Sequence, residues 1–136
     1  MTVRVAERSA SKLDAQVKTE ELIVHTLRIA SNQNVFDPAF KALTDRVIDC
    51  AVGIGQDMWE ANNIRVAQGD KSWPTRYALQ RRALRQINVL LYLMTLSRRA
   101  FHLRTKKYEH WAQLARDAKV LTQKWRDSDV RRYGRP

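Results

Sequence analysis

The scarcity of chain breakers constrains this sequence more than any other feature. Only 4 Gly and 3 Pro stand among its 136 residues, and the stretch after Pro74 reaches Leu103 without either. A β fold with many tight turns needs such residues at close intervals. The chain is therefore expected to be all-α. Ala, Leu, Arg, Gln and Lys are frequent, and these are good helix formers. The length suits one domain with one core, and a hydrophobic content of 44% is enough to fill it without disulfides or metal.

Apolar spacing divides the chain into four amphipathic segments. Residues 1–17 mix small, polar and charged side chains and read as a flexible tail or as an extension of the first helix, with the bundle over 18–130 and a basic tail over 131–136. Thr19, followed by Glu20 and Glu21, predicts a helix start. Leu22, Ile23, Thr26, Leu27 and Ala30 then form one face, and the polar run 31–34 ends it. Asp37-Pro38 is a sharper start, with a capping carboxylate and a proline where no donor is needed. From there Phe40, Leu43, Val47, Cys50, Ile54, Met58, Ala61 and Ile64 recur at threes and fours. The clearest loop is Gly69-Asp70-Lys71-Ser72. Pro74 opens the third helix, with a stripe of Tyr77, Leu84, Ile87, Leu91 and Met94 widened by Leu90 and Phe101. Thr105 is the expected cap of the fourth, lined by Tyr108, Trp111, Leu114, Ala115, Ala118, Leu121 and Trp125. Four such segments with short connections predict an antiparallel up-and-down four-helix bundle.

The net charge of +11 is unevenly spread. Residues 1–68 hold 8 Lys/Arg against 9 Asp/Glu, whereas residues 69–136 hold 17 against 5. The second half thus carries +12, which points to a polyanion partner. The basic residues cluster three times. Arg76, Arg81, Arg82 and Arg85 begin the third helix. Arg98, Arg99, Arg104, Lys106 and Lys107 surround the next turn. Lys124, Arg126, Arg131, Arg132 and Arg135 close the chain. In an antiparallel hairpin the last cluster returns beside the first. Arginine outnumbers lysine, and its planar fork matches phosphate oxygens.

No constellation for catalysis emerges, and the expectation is a non-enzyme without cofactor or metal. His25, His102 and His110 lack metal-ligand spacing. Gly53-Ile54-Gly55 follows a helical stripe and not a strand, so a close helix contact is the better reading than a phosphate loop. Cys50 lies on an apolar stripe as a structural thiol. Asp45, Asp49 and Asp57 share one side of the second helix, as a solvated face or as salt-bridge partners of another helix. Trp111 and Trp125 read as core anchors, and Trp73 as a cap on the bundle end. A lone cysteine, no apolar leader in MTVRVAERSASKLDAQ and no apolar run of membrane-spanning length together predict a cytoplasmic protein.

The segments Leu43-Thr44-Asp45-Arg46-Val47 and Ala51-Val52-Gly53-Ile54 resemble the second helix of the four-helix-bundle proteins of intervening sequences in bacterial 23S ribosomal RNA genes. Arg76-Tyr77-Ala78-Leu79-Gln80-Arg81-Arg82-Ala83-Leu84-Arg85, Leu90-Leu91-Tyr92-Leu93 and Lys107-Tyr108-Glu109-His110-Trp111 look like one branch of that family. This branch is the accessory variability determinant (Avd) of diversity-generating retroelements. The Asn-Ile-Ala-Glu-Gly-like turn usual in the intervening-sequence branch is replaced here by Asp57-Met58-Trp59-Glu60-Ala61-Asn62-Asn63, which leaves the Avd branch ahead. The resemblance spans about residues 19–133. It implies a barrel-like homopentamer with no chemistry of its own, which associates with a reverse transcriptase and with template-repeat RNA and cDNA in mutagenic retrohoming. The alternative is an oligomeric scaffold of the intervening-sequence type that binds an acidic protein.

Overall fold

The computed structural model describes residues 5–67 and 71–136, with side chains from Ala10 onward. Its elements are α1 (Val5–Ala30), a 3-10 turn (Pro38–Phe40), α2 (Lys41–Asn63), α3 (Ser72–Phe101) and α4 (Thr105–Tyr133). Among the described residues there is no strand. The chain is all-α with four long helices, consistent with a four-helix bundle. No helix among the described residues is long and apolar enough to cross a membrane.

Asp37 and Pro38 act as their types dictate. The Asp37 Oδ1 accepts from the Ala39 N–H at 2.9 Å, and Pro38 takes the first position of the 3-10 turn that feeds α2. Within α2, Val47, Ile54, Met58 and Ala61 are buried as their spacing requires, while Phe40 stays exposed.

Four boundaries depart from expectation. The stretch expected as a tail over 1–17 is helical from Val5, and residues 1–4 lie outside the described ones. Thr19 does not cap a helix; it is buried in the middle of α1, four residues after a buried Ala15. Small side chains at 15 and 19 let α1 lie close to its neighbours while giving almost no apolar signal. At the other end, α4 runs through Tyr133, so Arg131 and Arg132 sit in its last turn. Thr105 is its first helical residue, and the cap is Arg104, which gives no side-chain bond. Helix α3 begins at Ser72, which trims the expected loop; Gly69 and Asp70 lie outside the described residues.

Each helix packs on two others: α1 and α3 both contact α2 and α4, and so lie on opposite sides of the core. The largest fully buried side chains include Trp111, Trp125, Leu22, Ile54, Ile87 and Met94. The two α2 glycines leave room for side chains of the neighbouring helices. A Cβ on Gly53 would stand 2.6 Å from Gln86 Oε1 of α3, and one on Gly55 would stand 2.8 Å from Ile23 Cδ1 of α1. Residues from the α1–α2 connection complete the core. The Val35 and Phe36 amides both donate to the Asn32 carbonyl, at 3.0 and 2.8 Å. This turns Phe36 inward, its ring 4.6 Å from Phe101 and 6.1 Å from Trp111.

Candidate nucleic-acid interface

The basic residues singled out by sequence fall into three structural situations. The first is burial. Arg76 is only 8% exposed. Its Nε donates to Asp129 Oδ2 at 2.9 Å, its Nη2 lies 2.8 Å from the same oxygen, and its Nη1 donates to the Ile64 carbonyl at 3.1 Å. Gln80 Nε2 adds a bond to Asp129 at 2.7 Å, and the guanidinium lies 5.2 Å from the Trp125 ring centroid. A guanidinium held this way has no face left for a phosphate, so Arg76 is a structural clamp. It joins the start of α3 to the end of α4. Trp73 strengthens the same end: its indole N–H donates to the Gly134 carbonyl at 2.8 Å, and its ring packs on Tyr77 and Tyr133. Trp73 therefore closes the end of the helical assembly, as expected.

The second situation is pairing at the surface. Asp57 of α2 is buried, and both of its oxygens are used. Oδ1 accepts from Arg82 Nε at 2.9 Å and from Arg82 Nη2, and Oδ2 accepts from Gln86 Nε2 at 2.6 Å. The acidic side of α2 thus does supply a salt-bridge partner to another helix, and Arg82 is committed to it. Arg126 lies against its neighbour Asp127, with bonds of 3.0 and 3.1 Å.

The third situation is a free charge. Rotation by 100° per residue puts Arg81, Arg85, Asn88, Tyr92, Leu96 and Arg99 in one line on the outer side of α3. All six are exposed. Among the described residues, no carboxylate lies within ion-pair distance of Arg81, Arg85 or Arg99. Arg81 and Arg85 flank a shallow hollow of about 330 Å³ with Ala78 beside them, and the Arg81 guanidinium lies 5.7 Å from the Tyr77 ring centroid. Tyr92 is 64% exposed in the middle of the line. From Arg81 to Arg99 the line is about 27 Å long. It offers planar cations for phosphates and an aromatic face on which a base can stack.

The turn after α3 gathers the second cluster. Arg99, Arg104, Lys106 and Lys107 are exposed, and Arg98 stacks over the Tyr108 ring at 4.5 Å. In the third cluster Lys124, Arg131, Arg132 and Arg135 are exposed, and Arg132 lies over Tyr133 at 4.9 Å. The end of α4 lies beside the start of α3 through the Arg76–Asp129 and Trp73–Gly134 contacts.

Sequence reasoning passed over Asn88 and Tyr92. Their signal was present in the spacing 81, 85, 88, 92, 96, 99, but Tyr92 lies within an apolar run whose other members are largely buried. It also left His25 and His110 apart, whereas their rings meet edge to face at 5.0 Å. Burial, the His110 ring and the Arg28 charge hold His25 below the ordinary imidazole value. Cys50 is half-buried, its thiol pushed up by that burial and donating to the Gln86 carbonyl at 3.3 Å. Comparison of the chain with protein-family models, with curated proteins and with solved structures gives no match.

Proposed function

We propose that this protein is a non-catalytic, nucleic-acid-binding accessory protein that partners a retroelement reverse transcriptase in template-RNA-dependent, mutagenic cDNA synthesis. In this reading the chain is an antiparallel up-and-down bundle that assembles into a barrel-like homopentamer in the cytoplasm. The observation that carries nucleic-acid binding is the line of unpaired arginines on α3, with Tyr92 exposed between them. The Avd resemblance supplies the polymerase, the template-repeat RNA and the pentamer. Contact pairs such as Gln16 with Met58, Thr26 with Trp111 and Arg76 with Asp129 support the antiparallel order. An exposed Trp59 beside the α1–α2 groove supports self-association.

The charged side chains act by neutralising phosphates and releasing counterions, and backbone contacts of this kind follow shape more than sequence. Arg81, Arg85 and Arg99 form the first rank, with Arg98, Arg104, Lys106 and Lys107 at the turn and Lys124, Arg131, Arg132 and Arg135 beside the opposite end. Structured RNA titrated across a salt series tests this. Replacing Arg81 and Arg85 by Ala is expected to weaken binding at least about tenfold and to lower the salt slope by roughly 0.7–0.9 for each arginine lost. Unchanged affinity and slope would sink the α3 assignment.

A second reading rests on Val89 and Leu96, which are exposed beside the arginines. A scaffold that binds an acidic protein would use both charge and apolar area there. Binding to RNA that is absent even at low salt would favour it, whereas a reverse-transcriptase reading frame and template repeat beside the gene would favour the first.

A further inference from the structure

A cavity of about 270 Å³ opens where the end of α1, the α1–α2 connection and the α3–α4 turn meet. Its walls are carbon: Ile29, Val35, Phe36, Leu103 and Trp111. The local folding explains each wall. Paired bonds to the Asn32 carbonyl set Val35 and Phe36 in place. Leu103 is positioned by His102, which adopts the left-handed conformation at φ 52° and lets the Leu103 N–H reach the Arg98 carbonyl at 3.1 Å.

The rim has the opposite chemistry. Arg28 of α1, Lys107 of α4, His25 and Asn32 line it, and no Asp or Glu does. Among the described residues neither Arg28 nor Lys107 lies within ion-pair distance of a carboxylate. Lys107 belongs to the first turn of α4, where the helix dipole is positive. The Asn32 side-chain oxygen already accepts from the Asn34 N–H at 3.1 Å, so its amide nitrogen is what it offers a ligand.

An apolar hollow with a few donors of one charge is the usual form of a small-molecule site, and this one lies just below the usual size range, which limits it to a small ligand. We propose that the cavity binds a small amphipathic carboxylate, with an aliphatic or aromatic body against Ile29, Val35 and Leu103 and its anionic head between Arg28 and Lys107. The walls place no polar group where a ribose or base would need one, so a nucleotide does not suit them. The site shares Lys107 with the basic turn of the proposed RNA surface but no residue with the α3 line, and its Arg28 belongs to neither.

The test is a titration of the full chain followed by amide and indole NMR shifts. Octanoate carries body and head, octan-1-ol only the body, and acetate only the head. Octanoate is expected to shift Val35, Phe36, Leu103 and the Trp111 indole, and to bind at least about tenfold tighter than either fragment. Arg28→Gln, a change at an exposed position, is expected to weaken octanoate roughly tenfold and leave octan-1-ol unchanged. Val35→Phe is expected to abolish binding of both by filling the space, with the melting curve confirming that it folds. Absence of shifts at the wall residues, equal binding of octanoate and octan-1-ol, or indifference to Arg28→Gln would each overturn the proposal. RNA binding measured on the Arg28→Gln protein separates this outcome from that of the α3 line, which the substitution leaves intact.

Discussion

Trp111 joins two helices through a single nitrogen. Its indole N–H donates to Thr26 Oγ1 at 2.9 Å, and that hydroxyl in turn donates to the Leu22 carbonyl at 2.8 Å. The ring is fully buried and meets Phe36 edge-on. Replacing Trp111 by Ala is expected to cost about 3–5 kcal/mol, because cavity and lost bond act together. Urea denaturation measures it, and wild-type stability would refute the assigned face of α4. The apolar role of Trp111 was legible in the sequence, since its spacing of fourteen residues from Trp125 is close to four helical turns. The role of Arg76 was not. Rotation by 100° per residue sets it on the Ile87 side of α3, away from Arg81 and Arg85, but its burial depends on Asp129, 53 residues away, which no local pattern supplies. A charge count sees three equivalent arginines, whereas packing makes one a clamp and leaves two for solvent.

Among the elements, α2 followed its sequence most closely, because Val47, Ile54, Met58 and Ala61 are buried at the helical spacing its apolar residues show. Helix α1 followed it least. Its first half meets its neighbours through Ala15 and Thr19, whose burial adds little to an apolar pattern. The start of α4 was misjudged for a related reason: Thr105 has the right chemistry for a cap, yet Arg104 takes the extended backbone there, φ −62° and ψ 142°. The end of α3 gives a prediction. His102 holds a left-handed φ that L residues adopt at a cost, and its side chain is exposed. His102→Gly is expected to stabilise the protein by about 0.5–1 kcal/mol, as relief of strain outweighs the entropy glycine adds to the unfolded chain. Thermal and urea unfolding both read this, and a loss of stability would mean that the imidazole makes a contact of its own.

At the level of the whole molecule, the two helices that do not neighbour each other present opposite surfaces. Along α1 the outer line holds Leu13 at 62% and Val17 at 56% exposure, with Leu27 further on, and Trp59 of α2 is 68% exposed beside the adjoining groove. Along α3 the outer line holds Arg81, Arg85 and Arg99, with Asn88, Tyr92 and Leu96 between them. The proposed self-association is expected to use the first surface and leave the second open. Trp59→Glu should then give a monomer by light scattering while RNA still binds, more weakly. A fully assembled variant would move the subunit contact elsewhere.

This opposition has a kinetic consequence. A ring joined through its apolar sides would carry one arginine line per subunit, repeated around its circumference. In the proposed ring any single line would let go of a strand readily, yet its neighbours would keep that strand at high effective concentration, so release would require several departures at once. A strand held in this way is retained for long periods while each segment stays free to exchange its contacts. That combination lets a polymer slide over the surface without leaving it.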